Sequence, residues 1–175
     1  MNVTVIYDSY YGSTKAMAAE VAAGASSVAG AAVRCLSVDE ASRDDLEWAD
    51  GIALGCPTHM GSIAWQMKRF IDEEFAALWQ SHVLVGKAGT VFTTGGAGGA
   101  GGTELTQIAL LSNLAQHGMI LVTHPHNMPG FRPDGMAWGA TWATGRGDRP
   151  PTQRQIDSAR SQGQRLAEVA GKLMA

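Results

Sequence analysis

The feature that most constrains this chain is an alternation. Short apolar runs rich in β-branched residues are separated by longer stretches with helical spacing. Residues 3–7 (VTVIY) read as a buried strand that breaks at Asp8-Ser9, after which Ser13 caps an Ala-rich helix to about Val28. Residues 32–38 form a second strand, residues 39–48 a polar stretch with a short helix, and residues 51–55 a third strand ending in Cys56-Pro57. Ile63, Met67, Phe70, Ile71 and Phe75 then fall at helical spacing, with Lys68, Arg69, Asp72 and Glu73 turned away. Residues 87–94 are a fourth strand, Thr103-Glu104 opens a helix to about His117, residues 119–122 are a fifth strand, and residues 152–174 are a closing helix capped by Pro151-Thr152. Such alternation requires crossover connections, hence a parallel sheet covered on both faces. The expectation is one α/β domain over residues 1–175, a doubly wound five-stranded parallel sheet in the order 2-1-3-4-5. Residues 123–151, rich in Gly, Pro and Trp, read as one long functional excursion.

In a sheet of this kind, ligands bind beyond the carboxyl ends of the strands, where the strand order reverses. Three loops fall there. The first is Ser9-Tyr10-Tyr11-Gly12-Ser13-Thr14, with three hydroxyls around a strand-to-helix turn and Gly12 free to take a backbone conformation that a Cβ disfavours. The free N–H groups and positive dipole end of the following helix suit a phosphate dianion held without an Arg. The loop is neither GxxxxGK[ST] nor GxGxxG, and its plainer reading is a Ser-rich helix cap. The second loop is Pro57-Thr58-His59-Met60-Gly61-Ser62, whose main-chain N–H groups suit the polar edge of a flat ring with Met60 against its face; its plainer reading is a turn into the next helix. The third is Thr93-Thr94-Gly95-Gly96-Ala97-Gly98-Gly99 and the small residues up to Gly102, a close backbone approach to a ligand or equally a flexible linker.

Composition narrows the functions. With 175 residues, 45% hydrophobic and 17% charged, the chain reads as an ordinary globular protein. A formal charge of −3 favours neither nucleic acid nor an anionic membrane as partner, and is weaker than the field expected of a small acidic electron carrier. Cys35 and Cys56 stand far apart, which excludes a disulfide framework and a cysteine-rich zinc site. His124 and His126 make an HxH pair with no third ligand cluster, so no metal is expected. Neither a signal peptide nor an apolar run of the ~18 residues a membrane span needs is visible, and the expected location is cytoplasmic.

Several stretches together resemble the WrbA-type family of flavodoxin-like NAD(P)H:quinone oxidoreductases. They are SYYGSTKAMA, GCPTHMGSIAWQMKRFIDE, LW with VGKAGTVFTTGGAGGAGGTE, LAQHGMIL, WGA and GDRPPTQRQIDSARSQGQRLA. The resemblance implies a flavodoxin-like fold with FMN as cofactor and NADH or NADPH as co-substrate. It makes Ser9 to Thr14 the phosphate loop, Tyr11 a tyrosine at the nicotinamide site, Thr58, His59 and Met60 the ring-binding loop, and Thr94 to Gly99 the Gly-rich flavin loop. It also sets His117 beside the flavin and Trp79 over the substrate side. His59-Met60 replace the family's usual Arg-Phe, and the Gly-rich loop is about two residues longer. Only residues 37–50 join the second and third strands, where the family commonly carries a long excursion associated with its tetramer.

The implied activity is two-electron reduction of a quinone by a ping-pong mechanism in which the flavin does the redox chemistry. Neither a Ser-His-Asp nor a paired-carboxylate constellation is visible, and this chemistry requires none. His117 is a hydrogen-bond donor to developing charge in this reading. Trp79 and Trp138 are the better candidates for a quinone pocket than Trp65 and Trp142. A homodimer or homotetramer is expected, with the excursion carrying Trp138 and Trp142 as the contact. The alternative function is a one-electron flavodoxin-type carrier. A receiver-type signalling domain fits poorly, because Gly55-Cys56 rather than an aspartate ends the third strand.

Overall fold

The structure is a computed structural model and describes residues 1–97, 101–131 and 137–174. β1 (Asn2–Tyr7) pairs in parallel with β2 (Ala32–Ser37) on one side and β3 (Gly51–His59) on the other. β5 (Ala88–Gly95) lies beside β3, and β6 (Ile120–Leu121) beside the start of β5. The spatial order β2-β1-β3-β5-β6 is the doubly wound order expected of five parallel strands. The interior strands are buried because both faces are covered: every residue of β5 is buried, its three threonines included, as are Gly51 to Cys56 of β3.

The helices form two layers. α1 (Ser13–Ser26) and α5 (Gln153–Leu173) cover one face, packing Val21, Ala25, Leu166 and Ala170 against Val3, Val5 and Phe92. They approach closely because Gly24 and Gly163 face the partner backbone, where a Cβ would run into Arg160 O and Val21 O respectively. α2 (Arg43–Trp48), α3 (Trp65–Phe70) and α4 (Thr103–Gln116) cover the other face over Ile6, Ile52, Leu54 and Val91. α3 runs on into a π-helical turn, Ile71–Phe75. A regular α-helix would bring Glu74 inward after Met67 and Phe70. The wider turn buries Phe75 instead, 6.1 Å from the Phe70 ring, and leaves Glu74 to accept from Arg43.

Several local expectations are corrected. β3 does not stop at Gly55; it continues through Pro57 to His59, because Cys56 and Pro57 pair with Thr93 and Thr94 of β5. Ile63 is not helical but belongs to β4 (Ser62–Ile63), which folds back antiparallel on Thr58 and His59. The two-residue connection Met60-Gly61 has φ of 47° and 81°, both left-handed, as a type I′ hairpin requires. The segment expected as an excursion contains β7 (Thr141–Ala143), which pairs with Thr93 to Gly95 and continues the sheet edge that β6 begins. Trp142 is on that strand and buried, so it offers no surface to another subunit. α5 begins as expected, with Thr152 and Gln155 forming a capping box.

Candidate functional site

A cleft of about 360 Å³ opens beyond the carboxyl ends of β1, β3, β5 and β7. That volume is within the range of small-molecule sites, about 300–1,000 Å³. Four chain segments wall it: the β1–α1 loop, the end of β3, the end of β5, and the loop after β7.

The β1–α1 loop brings Ser9, Tyr10, Tyr11, Ser13 and Thr14 to the cleft. Its helix cap differs from the expected one. Gly12, at φ 88°, is the N-cap of α1 and Ser13 the first helical residue, with no side chain capping the end. Ser9 Oγ instead accepts from the Lys15 N–H at 3.1 Å. A Cβ on Gly12 would meet nothing within 4 Å, so the glycine answers to the left-handed backbone and not to lack of space. Thr14 and Thr94 share a buried hydroxyl–hydroxyl hydrogen bond of 2.8 Å, which ties the start of α1 to the end of β5.

Beneath this loop lies Asp8, buried, with Oδ2 unpartnered among the described residues. Burial pushes its carboxyl up, opposed by the nearby His59 and the Ser9 N–H.

Pro57, Thr58 and His59 form the second wall. Thr58 Oγ1 bonds Thr106 Oγ1 at 3.0 Å, anchoring the hairpin on α4. Tyr10 stands edge-on to both Tyr11 and His59, with centroids 4.8 and 6.2 Å apart, so the mouth carries an aromatic rim. Met60, at the hairpin tip, is fully exposed and does not line the cleft; Gly61 shapes the same turn. Cys56, at the root of this wall, is buried, accepts from the Ala64 N–H, and has its thiol pushed up to about 12 by burial, which makes it inert.

Thr94, Gly95 and Gly96 form the third wall, with Thr93 buried below them. Gly96 lies so close to Gly145 O that a Cβ would press on it at 2.8 Å. Ala97 is exposed outside the cleft, and Gly98 and Gly99 lie outside the described residues.

The fourth wall, Thr144 to Gly147, was invisible to sequence reasoning because its strand was hidden inside the presumed excursion. The available signal was the apolar TWA triplet followed by Gly-Arg-Gly.

Trp79 and His117 are not in this cleft. They stand together, ring centroids 5.1 Å apart, around a hollow at the other end of α4. Glu104 at the start of α4 bonds Trp138, whereas Gly118 just past its end bonds the Gly86 N–H before β5 begins. The 14 residues of α4 span about 21 Å at 1.5 Å each, so one chain cannot bring His117 to the phosphate-loop end. Burial lowers the His117 pKa. Trp138 is part-exposed and bonds Glu104 at 3.2 Å rather than lining the cleft. His124 is buried and bonds Ser161, while His126 is exposed, so the HxH pair does not converge. No cluster of three metal-ligating residues occurs among the described residues, and none of their helices is long and apolar enough to cross a membrane.

A doubly wound sheet with a hydroxyl-lined helix start at its switch point defines a mononucleotide-binding α/β domain. The flavodoxin family model matches residues 5–122, from the second half of β1 past β6. The chain belongs to the flavodoxin family. It is 39% identical to a flavodoxin of Aquifex aeolicus over 166 residues, covering 95% of this chain and 85% of that one. It is 35% identical to an NAD(P)H dehydrogenase (quinone) of Solidesulfovibrio magneticus over the whole of both chains. Among solved structures, the flavodoxin, WrbA-like protein from Agrobacterium tumefaciens is similar with a TM-score of 0.74 and 28% identity, over 98% of each chain.

The cleft fits FMN. Its one end offers the start of α1 with Ser9, Ser13 and Thr14 around it, the Thr14 hydroxyl braced by Thr94, and its other end offers a slot between Thr58, His59 and Gly95-Gly96.

Proposed function

We propose that this chain is an FMN-dependent NAD(P)H:quinone oxidoreductase working by a ping-pong mechanism. The observation that carries the reading is the cleft itself, a phosphate end and a ring-sized slot at the switch point of the sheet. The end-to-end similarity to a protein named NAD(P)H dehydrogenase (quinone) supports this activity. Bound FMN would supply a ring that accepts a hydride and passes on two electrons. Ser9, Tyr10, Tyr11, Gly12, Ser13 and Thr14 hold the phosphate end. Pro57, Thr58 and His59 supply one side of the ring site, with Met60 and Gly61 making the hairpin turn beyond it, and Thr94, Gly95 and Gly96 supply the other. In this reading nicotinamide and quinone take turns at the mouth, which carries the rings of Tyr10, Tyr11 and His59. Trp79 and His117 act in the site only if a second copy presents them, which fits a cytoplasmic homodimer or homotetramer with small-molecule substrates.

The second reading, a one-electron carrier, is favoured by the similarity to the Aquifex aeolicus flavodoxin. A visible spectrum decides between them. Purified protein loaded with FMN should bleach on adding NADH or NADPH without a partner reductase, and recover on adding a quinone. Protein that stays oxidised with either nucleotide supports the carrier. Initial rates giving intersecting rather than parallel double-reciprocal lines remove the ping-pong order while leaving the activity.

A further inference from the structure

Among the described residues lining the cleft, Arg146 is the sole side chain with a permanent charge, and it is positive in a chain of net charge −3. Its placement is built. Thr144 is buried and donates from N to Gly95 O at 2.8 Å, with its hydroxyl also donating to Gly95 O at 3.3 Å. Gly147 N and Arg149 N both donate to Thr144 O, closing a tight turn. Gly145 and Gly147, on either side of Arg146, have φ of 62° and 89°, values a larger residue rarely adopts. Arg146 N donates to Asp148 Oδ1 at 3.1 Å.

The turn crosses from β7 back toward α5, which packs against α1, and so passes the start of α1 on its way. Gly147 lies against Tyr11, with its Cβ position 3.8 Å from Tyr11 Cβ. The Arg146 side chain is exposed, and no carboxylate among the described residues pairs with it. A long cation is thus held on a pinned turn at the wall that meets the phosphate loop; the Asp148 carboxylate accepts from its backbone N–H, and its guanidinium makes no ion pair among the described residues.

We propose that Arg146 is the cationic partner of the phosphate bound at the start of α1, and that it makes the cleft select a phosphorylated flavin over the unphosphorylated one. This rests on the FMN reading. It also revises the expectation of a phosphate held without an Arg: backbone N–H groups and hydroxyls supply the cradle, and a guanidinium from a distant segment supplies the charge. A phosphate of the pyridine nucleotide carries the same chemistry, and the test below separates the two.

The test measures dissociation constants of FMN and riboflavin by flavin fluorescence, at low and high salt, for the intact protein and for Arg146→Met and Arg146→Lys. The intact protein should prefer FMN. Arg146→Met should weaken FMN about ten- to a hundredfold, the worth of a charge-assisted hydrogen bond, with riboflavin unchanged. Arg146→Lys should recover part of the loss, and the salt dependence of FMN binding should fall in Arg146→Met. An unchanged preference for FMN over riboflavin in Arg146→Met overturns the proposal, as does a loss confined to the KM for NADH or NADPH. Failure of the intact protein to bind either flavin sinks the FMN reading itself, a result distinct from both. Thermal unfolding of each variant confirms that the fold is kept.

Discussion

At the carboxyl ends of β1, β3 and β5 the connecting segments are rich in hydroxyls and held by backbone turns, whereas the opposite end of the sheet presents Trp79, His117 and the exposed Val85. The first region is polar and concave, and its hydroxyls bond one another across elements: Thr14 to Thr94, Thr58 to Thr106. The second is an aromatic patch made by edge-on rings, Phe75 and Trp79 against His117. Family resemblance assigns residues from both regions to one site. Within one chain a 14-residue helix holds them apart. A residue's role in a site and its place in a single chain are separate facts, and only the first travels with a motif.

The strongest way to break this division is Gly12→Val. Space is open at that position, but a β-branched residue at φ 88° is strained by about 1–3 kcal/mol, so the loop should rearrange. FMN affinity should fall by about two orders of magnitude in fluorescence titration, while far-ultraviolet circular dichroism stays unchanged. Undiminished affinity would show that the phosphate end lies elsewhere.

Thr14→Val probes the same region more gently. It removes the buried hydroxyl bridge and leaves Thr94 Oγ1 without that partner, at a cost of about 1–3 kcal/mol in denaturant unfolding. FMN binding should weaken as well, because the bridge sets the start of α1 against β5. A variant as stable as the parent would mean that the bridge contributes little.

Trp79→Ala sharpens the contrast. Its loss should cost on the order of 1 kcal/mol of stability through the broken ring pair and leave FMN affinity unchanged in dilute protein. If a second copy offers Trp79 to the cleft, quinone reduction should fall in this variant, and the parent's specific activity should rise with protein concentration. Weakened FMN binding in a preparation that light scattering shows to be monomeric would contradict the separation of the two regions.

The smallest effect belongs to Asp8, under the phosphate loop. Its folded-state pKa is raised above the ordinary 3.8 mainly by burial, so the carboxylate opposes folding once ionised. Its contribution is therefore most favourable at pH below 3.8 and is lost as pH rises through the raised value. Asp8→Asn should stabilise the protein near neutral pH by up to about 1 kcal/mol, with the gain vanishing in acid. A gain that persists below pH 3.8 would assign the effect to packing rather than charge.

By itself, the sequence determined the alternation of strands and helices, hence the class of sheet, and three of the cleft's four walls, because each is written in local pattern. The run VTVIY, the buried GIALG and the Ser-rich start of α1 carry their own reading in neighbouring residues. Tertiary structure decided the rest. Pro57 is in a strand because Thr94 lies beside it, and Thr141 to Ala143 become a strand because β6 ends after two residues and leaves the edge of Thr93 to Gly95 open. Arg146 lines the cleft, and His117 does not, for one reason: position around a sheet is set by the chain path between elements, and spacing along the sequence does not encode it.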